Sequence, residues 1–582
     1  MSFGMLRGNP LRAAAVALAA PLALISGPLS AAQCVKPVEG FELITKAPVD
    51  ECFNGVGKRY PKLTGETCAK GEPKRNEAYV WGLAKTGSGH LYWGTVANSP
   101  CVFFGGLGDS ALPVDVPPLY APENGWVCEF DKAWYSKQNP QLGKLGDWRP
   151  ASIYRMNACT QQVEELTPNT DDIDDLLGIR AAGTVGNLVL MGGPGGVQEG
   201  MAGPNEGNSV YMYAYEAKSG KFLGSKKFDE FINVRQFITH QGVLYSGMTL
   251  KGNGNGQIVR WSGNPKNPFA YKVVGTTKSR PDNFAIHEGR LFASTWPNVT
   301  LGAGKVKAKA GVIMSPVIPA GGLTPAYKKQ WQTVWTVDEY EPDRVTAASY
   351  AGGAIQSWKG QLYWGTMHFP TASLLAHYAA YGATWDSPEG FAATVASTHR
   401  ATAVFRGKDF GNQQQKVELL YGESALMAYY PKMKAFGLTP TKAGPPRFGA
   451  SGFGSPFNAY VWESGITAGH LYMGTFDSSR IWSAAIEALS TSMGLVPQAV
   501  LDQLKDMMPD PQAMGADLYR FEKPNQAAVA ADLNGGGNSA NYGYRTMINE
   551  KKSIWLGTAN PFNLDPKGGW EIMRYTPVPP AP

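Results

Sequence analysis

Short apolar, aromatic-rich runs, most of them followed by a glycine-bearing turn, recur along the chain. The clearest pair is Ala78-Tyr-Val-Trp-Gly-Leu-Ala-Lys-Thr-Gly-Ser-Gly-His-Leu-Tyr-Trp-Gly-Thr95 and Ala459-Tyr-Val-Trp-Glu-Ser-Gly-Ile-Thr-Ala-Gly-His-Leu-Tyr-Met-Gly-Thr475. Two such runs around a tight turn specify a β-hairpin. Copies of the second half stand at Val189-Leu-Met-Gly192, Leu244-Tyr-Ser-Gly247, Leu291-Phe-Ala-Ser-Thr295, Leu362-Tyr-Trp-Gly-Thr366 and Ile554-Trp-Leu-Gly-Thr558. After each hairpin comes a further short run, most often closed by arginine: Ile153-Tyr-Arg155, Ile258-Val-Arg260, Val404-Phe-Arg406, Leu518-Tyr-Arg520 and Ile572-Met-Arg574. Val210-Tyr-Met212 and Val312-Ile-Met314 hold that place in the other two repeats.

Two motifs alternating seven times in one order predict an all-β, seven-bladed β-propeller. The blades fall at about 77–168, 176–228, 233–277, 280–340, 350–424, 456–535 and 541–576. The chain ends on Pro577, Pro579, Pro580 and Pro582, which cannot donate to a ladder, so no outer strand can follow the last blade from that side. The closure segment 33–76 carries one strand candidate, Phe41–Thr45, and is expected to supply that strand. Helical spacing appears inside blade five (Thr371 to Gly382) and twice inside blade six (Ile481–Leu489 and Pro497–Met508). The linker 425–457 reads as irregular. The long insertions follow the Gly-Thr element, which places them on one face, where loops on a rigid framework usually carry function.

The first 32 residues have a basic start (Arg7, Arg12), an apolar run from Ala13 to Ile25 and a small-residue cleavage site at Ser30-Ala31-Ala32. That is a secretory signal, too short in its apolar part to span a bilayer, and no later stretch is long enough. The protein is expected to be secreted or periplasmic. All six cysteines lie between Cys34 and Cys159, an even count that suits disulfides in an exported chain, with Cys101–Cys128 the expected pair. Losing the two signal arginines lowers the formal charge from +6 to +4, and no basic run exists, so nucleic acid is not an expected partner.

Catalytic signatures are absent: no Gly-x-Ser-x-Gly elbow, no His-Glu-x-x-His, no phosphate-cradling loop. Asn98, Asn298, His368, Asp477 and Asn560 recur just after the second strand, where they would ring one face. His368 and Asp477, joined by His377 and His399 from the blade-five insertion, could hold a divalent transition metal or act as acid and base. Their alternative role is turn capping. Asp171-Asp-Ile-Asp-Asp175 offers clustered carboxylates for calcium, or a solvated link between blades. Arg180, Arg235, Arg280 and Arg545 stand near the start of the first, innermost strands. There they could clamp an anion in two-point fashion or join a channel of mixed ion pairs with Glu77, Asp282 and Glu463. The arginines of the third strands repeat too regularly for a site and are expected to tie blade to blade.

These hairpins, with Ser451-Gly-Phe-Gly-Ser-Pro-Phe-Asn-Ala-Tyr-Val-Trp462, resemble those of secreted bacterial seven-bladed β-propeller proteins of unassigned activity. The resemblance covers most of the chain beyond the signal, as repeat motifs only. It implies fold and location and transfers no catalytic residue. The expected function is binding of an extracellular carbohydrate or anionic small molecule on the loop-bearing face or at the channel mouth. The alternatives are a hydrolase or lyase on an extracellular polymer, with or without a metal, and a scaffold docking a protein partner through 480–510.

Overall fold

The computed structural model describes residues 34–102, 119–129, 148–197, 206–300, 305–382, 388–491, 502, 505–506 and 508–578. The expected signal 1–32, most of the blade-one insertion and most of the helix expected over 497–508 lie outside the described residues. The molecule is mostly β, with its strands in antiparallel groups of four, as in a β-propeller. Glu77–Lys85, His90–Ala97, Ile153–Asn157 and Val163–Glu165 form the first group. The second runs through Ala181–Val185, Leu188–Gly195, Ser209–Glu216 and Phe222–Phe228, and the third through Phe231–His240, Val243–Leu250, Gly256–Trp261 and Tyr271–Thr277. Arg280–His287, Arg290–Trp296, Gly311–Val317 and Gln332–Thr336 make the fourth; Tyr350–Trp358, Gln361–His368, Val404–Lys408 and Lys416–Tyr421 the fifth. Asn458–Thr467, His470–Asp477, Leu518–Phe521 and Val529–Asp532 make the sixth. The last group is Gly543–Asn549, Ile554–Ala559 and Glu571–Thr576, completed by Gly40–Lys46 from the other end of the chain. That fourth strand contains the Phe41–Thr45 candidate.

The apolar core is divided into layers, one between each neighbouring pair of groups. The layer between last and first joins Trp555 and Ile572 to Val80, Leu91 and Trp93. The first strands of successive groups pack on one another, and Gly543–Asn549 packs on Glu77–Lys85. The Gly-Thr repeat has a packing cause. A Cβ at Gly94, Gly365 or Gly557 would lie 2.2, 2.4 or 2.5 Å from Ile179, Val461 or Val80 of the following group, so only glycine lets the layers approach. The threonine does a second job. Thr95, Thr295, Thr366, Thr475 and Thr558 each accept, through Oγ1, the backbone N–H at the entry to the third strand. Three third-strand arginines do tie neighbours together: Arg155 donates to the Lys218 carbonyl, Arg260 to Leu323 and Arg406 to Pro524. Arg520 and Arg574 instead pair with Glu522 and Glu42.

Helices occupy Pro370–Tyr381, Pro388–Thr398 and Ser479–Thr491. The linker 425–457, read as irregular, contains a hairpin, Ala425–Tyr430 with Ala435–Pro440. Its turn, Pro431-Lys-Met-Lys434, lacks the glycine signal that marks six of the seven repeated hairpins. Three disulfides are present, Cys34–Cys159, Cys52–Cys68 and the expected Cys101–Cys128.

Candidate functional site

The first strands carry irregularities at one common height, and these build the site. The ladder to the second strand skips Trp81, Arg235 with Gln236, Asp282 with Asn283, Gly353 with Ala354, Trp462, and Arg545. Arg180 stands at the same height, just before the paired run of the second group. A β-bulge re-aims the side chain it contains. Six of these residues, Trp81, Arg180, Arg235, Asp282, Asn283 and Arg545, form walls shared by two adjoining cavities of about 90 and 140 Å³. The outer cavity is otherwise aromatic, with Tyr79, Trp296, Tyr460, Trp462, Phe476 and Tyr542 on its walls. The inner one adds Gln236, Glu463 and Thr546.

The cations lie on indole faces. The Arg235 guanidinium sits 3.7 Å from the Trp296 ring centre, Arg180 lies 4.9 Å from Trp81 and 5.4 Å from Trp296, and Arg545 is 5.5 Å from Trp462. Such stacking covers the flat face of a guanidinium and leaves its N–H edge for a ligand. Arg235 is only 2 % exposed, and its Nη1 pairs with Asp282 Oδ1 at 3.3 Å. Asp282 also accepts from Trp296 Nε1 at 2.7 Å. Among the described residues, Nε and Nη2 of Arg235 and Nε of Arg545 have no hydrogen-bond partner. Burial, and for Arg180 the neighbouring Arg235, pulls all three guanidiniums below their ordinary pKa. From so high a starting value they remain cations at neutral pH. Glu463 faces them, accepting from Gln236 Nε2 at 3.2 Å and from the Ser464 N–H at 3.0 Å. Burial pushes its carboxyl up to about 7.

The aromatic wall is itself fixed. Tyr460 stacks on Phe476 at 4.5 Å, Phe476 meets Tyr542 at 4.7 Å, and Tyr79 meets Trp462 edge-on at 5.8 Å. The Tyr79 and Tyr542 hydroxyls bond each other. Single ladder pairs between groups, Met367 with Tyr460, Phe476 with Gly543 and Ala559 with Tyr79, stitch this end of the molecule. The helix Ser479–Thr491 brings Ile481 to the cavity. Its Glu487 accepts the Glu123 and Asn124 N–H groups, so the helix rests on the 119–129 insertion.

The other sequence candidates lie elsewhere. Arg280 pairs with Glu206 and lines neither cavity. Asn98 donates to Asn76, Asn298 to the Asn253 and Lys278 carbonyls, and Asn560 to the Lys567 carbonyl, which is loop capping. His368, His377 and Asp477 do not form a ligand set. Among the described residues no three His, Cys, Asp or Glu side chains converge on a point, the acidic run 171–175 included. His368 shares a 3.1 Å hydrogen bond with Ser373, and burial drives its pKa well below the ordinary imidazole value, so it stays neutral. His377 is bonded to Asp343 Oδ1 at 2.9 Å; burial opposes the shift, but that bond helps hold Asp343 down at about 2. Asp477, raised by burial to about 6, accepts the Ser479 N–H at 2.9 Å and starts the helix there. His399 is bonded to the Pro456 carbonyl.

The aromatic wall is what sequence reasoning missed. Its signal was present: Tyr79-Val-Trp81 and Tyr460-Val-Trp462 put three large apolar residues in succession where period two allows alternation, which is how a bulge reads in sequence.

No family model matches the chain, and no curated protein matches it. Solved structures resemble it at low identity. The β-propeller domain of the Trilobed protease from Pyrococcus furiosus aligns at 7% identity and TM-score 0.26, over 60% of this chain and 85% of that one. The Dos1 propeller aligns at 7% identity and TM-score 0.36, over 86% and 93%. A GH43 β-1,3-galactosidase aligns at 11% identity and TM-score 0.26, over 50% of this chain and 53% of its own, so the match spans about half of that enzyme.

Proposed function

We propose that this is an exported, seven-bladed β-propeller that binds a small anionic molecule in its central chamber, entering from the loop-bearing face. The strand groups are the seven blades, and Gly40–Lys46 closes the last of them onto the first. Export rests on the leader-like start and on disulfides, which persist in oxidising compartments. The observation that carries the binding reading is Arg235. A buried guanidinium with two nitrogens unsatisfied is costly, and an anion in the chamber would accept from both. Arg180 and Arg545 add positive potential at the same point.

The test is thermal unfolding and titration calorimetry of the mature protein with acetate, sulfate, phosphate and benzoate, against neutral mono- and oligosaccharides. At least one anion should raise the unfolding temperature and titrate as one site per chain. A neutral glycan that binds more tightly than every anion would sink the reading.

The chamber also has a pH signature. Below neutrality Glu463 takes up a proton, and one negative charge leaves the wall beside Arg545 and Asp282. Affinity for an anion that stays ionised throughout should therefore rise roughly tenfold from pH 8 to pH 6, given a lost repulsion across a partly shielded interior. Glu463→Gln should flatten that profile at its low-pH value. An unchanged slope in the variant would assign the titration to another group.

A further inference from the structure

We infer that the ligand is a planar organic acid, a monocarboxylate on an aromatic or conjugated frame, bound with its carboxylate inward between the three arginines and its flat body among the indoles. This rests on the anion-binding reading above and goes on to the chemical class.

Three features of the chamber carry it. The first is zoning along the chamber. The arginines line both cavities, Gln236, Glu463 and Thr546 line only the inner one beside apolar Leu83, Phe237, Met547 and Ile548, and the aromatic Tyr460, Phe476 and Phe369 line only the outer one. A ligand that fits this order has its charge at one end and an apolar body at the other. The second is flatness. The Arg235 guanidinium lies 3.7 Å from the Trp296 ring centre with Nε and Nη2 as its open edge, and Arg545 lies 5.5 Å from that of Trp462. A carboxylate meeting such an edge in two-point fashion is coplanar with the fork, and a conjugated frame continues that plane between the rings. The third is charge. Arg180, Arg235 and Arg545 against Asp282 and Glu463 leave one positive charge with Glu463 ionised and two with it protonated, an excess that suits an anion in either state. The Tyr79 and Tyr542 hydroxyls, which could serve a sugar, are bonded to each other.

The experiment is calorimetry on the unmodified mature protein with four probes: benzoate, cyclohexanecarboxylate, benzamide and phosphate. Benzoate should bind roughly threefold to tenfold more tightly than cyclohexanecarboxylate, the usual gain from ring stacking. Benzamide, the neutral isostere, should give no measurable heat, and phosphate should bind more weakly than benzoate. Trp296→Leu should erase the preference for benzoate over its saturated analogue while keeping a carboxylate response; should that variant not fold, the comparison in the unmodified protein decides alone. Phosphate or cyclohexanecarboxylate binding as tightly as benzoate would overturn the planar-acid inference and leave anion binding intact. No response to any anion would overturn the underlying reading as well.

Discussion

Arg235→Met should cost about a hundredfold in affinity for any anion that binds the chamber. Methionine keeps the apolar stem but not the guanidinium, and so removes the charge and two free donors. Hydrogen bonds to charged groups are worth about 1.5–3 kcal/mol each, so losing a two-point contact costs on the order of 3 kcal/mol or more. Folding should survive, because the variant also removes a buried guanidinium that the fold leaves incompletely paired, and Asp282 keeps the Trp296 N–H. Titration calorimetry gives the affinity and thermal unfolding gives the control. An Arg235→Met protein with unchanged affinity would move the ligand out of this chamber. Arg280→Met is the matched comparison: its guanidinium is held by Glu206 away from both cavities, and its loss should leave affinity within twofold.

The second large effect concerns stability. The double substitution Cys34→Ser with Cys159→Ser should lower the free energy of unfolding by about 5 kcal/mol if disulfides act chiefly on the unfolded chain, since the bond spans 125 residues. Removing Cys52–Cys68, which spans 16, should cost about 3 kcal/mol on the same model. Position makes the difference local as well. Cys34 leads into Gly40–Lys46, and Cys159 lies at the tip between the third and fourth strands of the first group. Hydrogen exchange should then show Glu571–Thr576 losing protection first, because Gly40–Lys46 covers its edge. Equal loss of protection in every strand group would show that the bond does not lock this junction.

What the sequence made legible was local. Hairpins, Gly-Thr anchors and third-strand arginines all depend on spacing within some twenty residues, and the Phe41–Thr45 candidate does pair with Glu571–Thr576. Counting from the anchors also brought Arg180, Arg235 and Arg545 to one height, and that is where the chamber is. The same count misjudged Arg280, which stands two residues before the bulge and turns instead to Glu206. It could not show that His368 and Asp477, equivalent in register, are each absorbed by the helix that follows, through Ser373 and Ser479. Nor could it show the aromatic wall, because a bulge changes which faces adjacent residues share, and that is settled by pairing between strands rather than along one.

The bulged positions have one more consequence. A residue that the ladder skips has no cross-strand backbone partner, so exchanging its side chain leaves the ladder itself in place. In the fifth group that place is filled by Gly353-Ala354, which puts no bulky side chain there. The framework and the lining of the chamber are therefore separable quantities. Ligand preference in such a molecule can drift, or be engineered, through a handful of codons while the strand ladders stay as they were.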